Sequence, residues 1–364
     1  MFYYLSQLRD VFFGFNIFRY ITFRAGMAAV TTFLFCIILG PILIRKLKQF
    51  KIQEIAKRED APDLDKFQHS KEGTPTMGGL IIIGSILFSV FLWADLSNRH
   101  IILTLITCCW LAVLGWIDDY FKLTKKGKPG QRGLTKRTKL MWEIMLGCFI
   151  GSFVYFNPGT STQLDFPFFK NLVMNLGIFY IPFVALVVIG TSNAVNLTDG
   201  LDGLAIGCVL IVSLTLGVLS YVSGHVNFAE YLFIPFVPGV GELTIFCSAM
   251  VGASLGFLWF NCHPASIFMG DVGSLSLGGT LGVIAVLIKK ELLLVLLGGV
   301  FVFEAVSVIL QVISFRAFGR RIFKMSPFHH HLQLSGWNES KIIIRFWILA
   351  IILALVTLTT LKIR

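Results

Sequence analysis

The stretch "WLAVLGWIDDYFK" (110–122) is an apolar run that stops on two adjacent aspartates, Asp118 and Asp119, with Lys122 one turn further on. A helix that is apolar on every face has no side to give to water, so it lies in a large core or in lipid. Composition decides for lipid. Of the 364 residues 55% are hydrophobic and 14% are charged, against roughly 25% charged in an ordinary soluble domain. Mean hydropathy is +0.79. Apolar runs of about 20 residues, each long enough to cross the hydrocarbon core as a helix, recur along the chain. Ten spans are expected, near 20–44, 76–94, 101–117, 140–156, 172–192, 201–222, 243–260, 273–288, 291–315 and 343–361. The expected fold is all-α: a polytopic helical integral membrane protein of about ten transmembrane helices, one membrane domain over 1–364. Residues 1–19 lack the basic start and small-residue cleavage site of a signal peptide. Their aromatics, with Arg9 and Arg19, suit an interfacial N-terminal helix.

Charge gives the orientation. The net charge is +11, and 22 of the 31 Lys and Arg fall in or beside the connections at about 45–75, 118–139 and 316–342. Cytoplasmic loops are enriched in Lys and Arg, so this side is expected to be cytoplasmic and both termini periplasmic. Topology and attraction to anionic lipid account for the basic excess, and nucleic acid is not needed to explain it. The seven cysteines lie in or beside apolar spans and form no CxxC pair, which indicates neither a disulfide framework nor a zinc site.

The informative acids flank spans on that same side. Asp118 and Asp119 end the third span, Asp199 and Asp202 lie in the connection 193–200 and just beyond it, and Asp271 lies in the connection 261–272. Those two connections carry no Lys or Arg. A single aspartate here reads as a helix cap. Five on one face, in Gly- and Asn-rich turns at a membrane boundary, read as a functional site. If "IDDYFK" is helical, Lys122 is at i+4 from Asp118 and i+3 from Asp119 and can reach either. The two aspartates point about 100° apart, which suits one carboxylate for a cation or proton and another oriented by lysine; an exposed salt bridge is the plainer alternative. Asn196, Asp199 and Asp202 are spaced by three and would form one stripe on a helix, with Gly200 and Gly203 letting a ligand approach the backbone. Carboxylates and lysines without a Cys/His ligand set favour Mg2+ and a phosphorylated substrate over zinc. In "SPFHHHLQLSGW", three consecutive histidines diverge, so they suit donors to phosphate or proton carriers better than one shared metal ion.

Taken together, "KEGTPTMGG" (71–79), "DDYFK" (118–122), "NAVNLTDGLDGL" (193–204), "FMGDVGSL" (268–275) and "PFHHH" (327–331) resemble the motifs of the bacterial phospho-N-acetylmuramoyl-pentapeptide transferases, within the polyprenyl-phosphate N-acetylhexosamine-1-phosphate transferase superfamily. The resemblance covers essentially the whole chain. It implies transfer of phospho-N-acetylmuramoyl-pentapeptide from UDP-N-acetylmuramoyl-pentapeptide to undecaprenyl phosphate, giving lipid I and UMP in peptidoglycan biosynthesis. It further implies Mg2+ dependence, a bacterial cytoplasmic-membrane location, ten spans and a homodimer. The catalytic residues it implies are Asp118, Asp119, Asp271 and His329, with Asp271 on the metal. Substrate-binding positions are Lys71, Lys122, Lys139, Asn196, Asp199, Gly200, Asp202, Asn261, Phe268 and His330. Asp118 would deprotonate or position the lipid phosphate, and Lys122 and His329 would stabilise phosphate oxygens. Asn196 and Asp199 would hold the uridine or metal, and Phe268 would stack on uracil. One departure is Gln333, where the family's histidine motif usually has glutamate.

Two other readings share part of this pattern. A UDP-N-acetylhexosamine transferase of the same superfamily would keep the aspartates, and the triple histidine argues against it. A secondary transporter would bind near the bilayer midplane, whereas these acids gather at one edge. Glu304 alone, inside the ninth span, suits a transporter, and a buried structural hydrogen bond is the role expected of it instead.

Overall fold

In lipid every backbone N–H and C=O must be satisfied within the chain, which an α-helix does locally. The long apolar runs accordingly fold as helices. The computed structural model describes residues 1–50, 52, 73–124, 133–157, 161–167, 169 and 172–362. In order they form α1 (Phe2–Leu5), α2 (Ile21–Gln49), α3 (Gly79–Trp93), α4 (Arg99–Thr124), α5 (Lys136–Phe156), β1 (Gln163–Asp165), β2 (Val173–Asn175), α6 (Tyr180–Thr198), α7 (Leu204–Ser223), α8 (Val226–Leu232), α9 (Leu243–Asn261), α10 (Gly270–Leu287), α11 (Glu291–Leu297), α12 (Gly299–Phe318), α13 (Phe328–Gln333) and α14 (Glu339–Thr359). Among the described residues, nine helical segments are long and apolar enough to cross a membrane, and α3 is a shorter apolar helix. The helical membrane architecture read from composition stands, with three local differences. The run expected at 291–315 is two helices, α11 and α12, meeting at Gly298. The run expected from 172 starts on a strand: β1 and β2 form a small antiparallel hairpin with Gln163 opposite Asn175. The N-terminal segment is a short helix followed by 3-10 turns at Ser6–Leu8 and Phe13–Arg19.

The bundle is organised around α10, in which every residue from Val272 to Leu287 is buried. Small residues explain how one helix can be so enclosed. Without a hydrophobic force between helices in lipid, close backbone approach and dispersion hold them together, and glycine and serine permit it. A Cβ on Gly79 of α3 would lie 2.2 Å from the Gly273 nitrogen, and one on Gly278 would lie 2.6 Å from the Thr191 carbonyl oxygen of α6. On α4, a Cβ at Gly115 would lie 2.4 Å from the Asp271 carbonyl oxygen. Thus α3 and α4 meet α10 nearly backbone to backbone at the end that carries the acids, and α6 meets it as closely near its middle.

The opposite end is fastened by charge. Arg24 of α2 is 1% exposed and makes a two-pronged pair with Glu242, Nη1 to Oε2 at 2.8 Å and Nη2 to Oε1 at 2.6 Å. Its Nη1 also donates to the Trp93 carbonyl at the end of α3 (3.1 Å). The Met1 ammonium donates to the Phe91 and Leu92 carbonyls (2.8 and 3.0 Å), two acceptors the last turn of α3 cannot satisfy internally. Phe2 packs on Trp93 beside them. Removing one member of a buried pair strands the other charge, at a cost of about 3–5 kcal/mol. Arg24→Ala is therefore expected to lower the thermal unfolding midpoint in detergent markedly, whereas Arg9→Ala, whose partner Asp10 is exposed, leaves it unchanged.

Candidate functional site

Asp118 and Asp119 occupy the last turns of α4, and Asp271 the first turn of α10. The glycine-permitted crossing of those helices gathers oxygens of the three carboxylates within 4.8 Å of one another. Lys122 stands among them, its Nζ 2.9 Å from Asp118 Oδ2, 3.4 Å from Asp119 Oδ1 and 3.1 Å from Asp271 Oδ1. The helical spacing anticipated contact with either aspartate; the ammonium reaches both and the third as well. Lys139, from the second turn of α5, bridges Asp118 Oδ2 (3.3 Å) and Asp271 Oδ2 (2.5 Å). Its position follows from the start of α5, where the Thr135 side chain accepts from the Thr138 N–H (3.1 Å). Just before that cap, the Leu134 N–H donates to Asp118 Oδ1 at 2.6 Å. Gly133, with φ +93°, makes this turn possible, since a Cβ there would lie 2.6 Å from the same oxygen. The remaining Asp119 oxygen accepts from the Val272 N–H (3.3 Å) at the α10 N-terminus, where the helix dipole favours anions.

Three carboxylates thus face two ammonium groups, one formal negative charge in excess. All the acidic donors are oxygens. That set fits a hard divalent cation, which Asp118, Asp119 and Asp271 could hold together; Asp202, His263 and Glu339 form a second such group among the described residues.

The second aspartate motif is split by its own turn. Asp199 ends α6, and the residues that follow turn back through Gly203 at φ +81° before α7 begins. Asn196, Asp199 and Asp202 therefore do not share a helical stripe. Asn196 Nδ2 donates to Ser274 Oγ on α10 (3.1 Å), keeping α6 in register with Asp271. Asp199 is half-buried and Gly200 exposed at the turn. Asp202 serves the neighbouring loop: its Oδ2 accepts from the Ala265 N–H (3.1 Å) and lies 3.1 Å from His263 Nδ1, while its own N–H donates to Glu339 Oε1 (3.0 Å). Asn261 is a clamp, accepting from the Gly203 N–H (3.0 Å) and donating to the Ile267 carbonyl (2.8 Å). Half-buried Phe268 is held by its backbone against Pro75 and Gly78, at 2.8 Å each. Lys71 lies outside the described residues.

The histidine motif forms α13. His329 is wholly buried, and a Cβ on Gly200 would lie 2.3 Å from its Nε2, so the ring faces the Asp199–Gly200 turn. His330 Nδ1 lies 2.8 Å from Gln333 Oε1. The amide at 333 thus keeps a hydrogen bond to the neighbouring imidazole. His331 turns away and accepts from the Lys324 N–H (3.1 Å). Two further carboxylates stand near the motif residues. Glu304 of α12 touches His329, and Glu143 of α5, one turn beyond Lys139, accepts from Asn193 Nδ2 (2.8 Å). Both were visible only as lone acids in apolar segments.

Comparison with known proteins accords with this geometry. Residues 101–289 match the family described as glycosyl transferase family 4, so fold and site together are those of a membrane-embedded transferase. Residues 71–83 match the phospho-N-acetylmuramoyl-pentapeptide-transferase signature 1. A protein of that name from Pelobacter propionicus is 52% identical over 350 residues, 96% of each chain. Others so named, from Thermodesulfovibrio yellowstonii and Desulforapulum autotrophicum, are 51% and 50% identical over 99% and 100% of each chain. This chain belongs to the phospho-N-acetylmuramoyl-pentapeptide-transferase family.

Gly115 places a direct structural demand on the site, since it packs on the backbone of Asp271 itself. In Gly115→Ala the new methyl meets the α10 backbone, a clash of the kind that costs about 1–3 kcal/mol, and Asp271 parts from Asp118 and Asp119. Transferase turnover per folded molecule is expected to fall at least about tenfold, as geometric displacement of reacting groups does. Gly84→Ala, an exposed helical position with nothing within 4 Å of its Cβ, is the control and retains parental turnover.

Proposed function

We propose that the chain transfers phospho-N-acetylmuramoyl-pentapeptide from UDP-N-acetylmuramoyl-pentapeptide to undecaprenyl phosphate, in the bacterial cytoplasmic membrane and with Mg2+. Lipid I and UMP are the products. The observation that carries this reading is the lysine-bridged trio of Asp118, Asp119 and Asp271 at the helix ends of a chain about half identical to transferases of that name. The basic connections on the same side support a cytoplasmic site.

In this reaction an oxygen of the lipid phosphate forms a bond to the β-phosphorus of the nucleotide, and the bond from that phosphorus to the bridging oxygen breaks, releasing UMP. Both reactants are anions, so the enzyme must neutralise charge and hold them in line. Lys122 and Lys139 supply the positive charge, and their fork over Asp118 and Asp271 fixes where it sits. Asp118 positions the attacking phosphate through those two lysines. A bound Mg2+, held by Asp271 with Asp118 and Asp119, would polarise phosphate oxygens and stabilise charge on the leaving group. His329 turns its Nε2 to the Asp199–Gly200 turn, beside which the pyrophosphate would lie. Asn196 and Asp199 line the nucleotide end, with Phe268 against the uracil. Lys71, at the start of the matched signature, adds charge toward the nucleotide. Gly200, Asp202, Asn261 and His330 shape that pocket.

The test is UMP release by purified protein in detergent, with UDP-N-acetylmuramoyl-pentapeptide and undecaprenyl phosphate supplied together or singly. Release that needs both, and that EDTA abolishes and Mg2+ restores, is expected. Asp271→Asn is expected to cut the rate by about 100-fold or more, the order seen when a charge-stabilising group is removed. Release from UDP-N-acetylglucosamine alone would reassign the substrate. Gln333→Glu is expected to keep turnover near parental, because either side chain offers His330 the same oxygen.

A further inference from the structure

Glu304 is a motif-independent acid whose surroundings call for a role. It lies in the membrane helix α12 and is wholly buried. A buried carboxylate is costly unless partnered, and its partner is the first histidine of the α13 motif. Its oxygens accept the His329 backbone N–H, at 3.2 Å to Oε1 and 3.4 Å to Oε2. Its Oε2 lies 3.3 Å from His329 Nδ1. That last contact has the distance of an ion pair but not the alignment of a hydrogen bond, so neither ring nitrogen has an aligned partner among the described residues. The distance is the better guide, since a modest rotation of the ring aligns Nδ1 with a carboxylate that the backbone contact already holds. Nε2 is then the atom left over, wholly enclosed and turned to the Asp199–Gly200 turn. A buried polar atom without a partner costs about 1–3 kcal/mol, which a ligand in that turn would relieve.

We infer that Glu304 is a positioning residue for His329, taking the Nδ1–H and so presenting Nε2 to a phosphate oxygen of the substrate. The inference rests on the transferase reading above. Nε2 donates to phosphate once it has taken a second proton from solvent as the anion binds, and the Glu304 carboxylate then compensates the charge of the imidazolium, an arrangement in which a buried acid orients a working histidine. His330 differs, since its Nδ1 meets the neutral amide of Gln333. The two adjacent rings, with centroids 4.2 Å apart, thus have holders of different charge.

The experiment is a double-mutant cycle with Glu304→Gln and His329→Ala, read as UMP release at saturating substrates and as thermal unfolding. Glutamine keeps an oxygen for the His329 backbone N–H and removes the charge. Glu304→Gln is expected to lower kcat about 10- to 100-fold with KM for the nucleotide within about twofold of parental. It should add no further loss in the His329→Ala background. Parental kcat in Glu304→Gln, parental kcat in His329→Ala, or losses that multiply in the double variant would each overturn the inference. Nitrogen NMR of histidine-labelled protein, with the His329 signals identified by their loss in His329→Ala, gives a readout independent of turnover and of the variant's folding. A ring carrying a proton on Nδ1 in the parental chain is expected; a proton on Nε2 alone refutes the inference. If the parental protein releases no UMP, the transferase reading fails, while the NMR result still judges the Glu304–His329 pairing.

Discussion

The approach of α10 to its neighbours is the constraint on which the rest depends. Asp271 enters from α10 and the aspartate pair from α4, so their meeting requires two helix backbones closer than ordinary side chains allow. Gly115 and the α10 backbone permit this on one side, and Gly79 and Gly273 on another. Asn196 and Ser274 then fix the longitudinal position of α6 against the same helix. In lipid such contacts are a main source of helix association, so the features that hold the bundle together also place the carboxylates. The site is a consequence of the packing at one end of a single helix.

Charge completes what packing begins. Three carboxylates without cations would repel one another, and the connections at 193–200 and 261–272 supply no Lys or Arg. The compensating charge comes instead from Lys122 and Lys139, on two different helices. Each lysine contacts both Asp118 and Asp271, so neither acid can move without disturbing both cations. Lys122 remains 38% exposed and Lys139 18%, which keeps the cationic edge open on one side. An anionic lipid headgroup and a soluble nucleotide can meet only at such a boundary.

Much of this was legible in the residues, and the limits have a physical pattern. Spans were readable because lipid demands continuous apolar runs, and Lys122 because its spacing from the aspartates is a helical turn. The stripe expected of Asn196, Asp199 and Asp202 failed because the turn through Gly203 ends the helix between them. Asn261 and Asp202 read as ligand positions, yet the hydrogen bonds found for them tie loops together. Lys139 was named through the resemblance and not through its spacing from the aspartates. Its contact crosses between helices, and the depth at which two helices match cannot be counted along a chain. The hairpin at Gln163–Asp165 and Val173–Asn175 is too short for a period to emerge.

Glu304 shows the same limit at its most consequential. Nothing near it in sequence is polar enough to explain a carboxylate in the membrane, and its partner arrives from the next connection, on α13. The backbone N–H of His329 satisfies the carboxylate whatever the ring does, so the acid is locked before the imidazole is oriented. Gln333 belongs to the same short helix as His330 and meets its Nδ1 through Oε1 at 2.8 Å. A holder on a membrane helix ties its histidine to the bundle, whereas the Gln333 contact with His330 lies within α13. The carboxylate at 304 therefore ties α13 to the membrane helix α12, while the amide at 333 acts within α13.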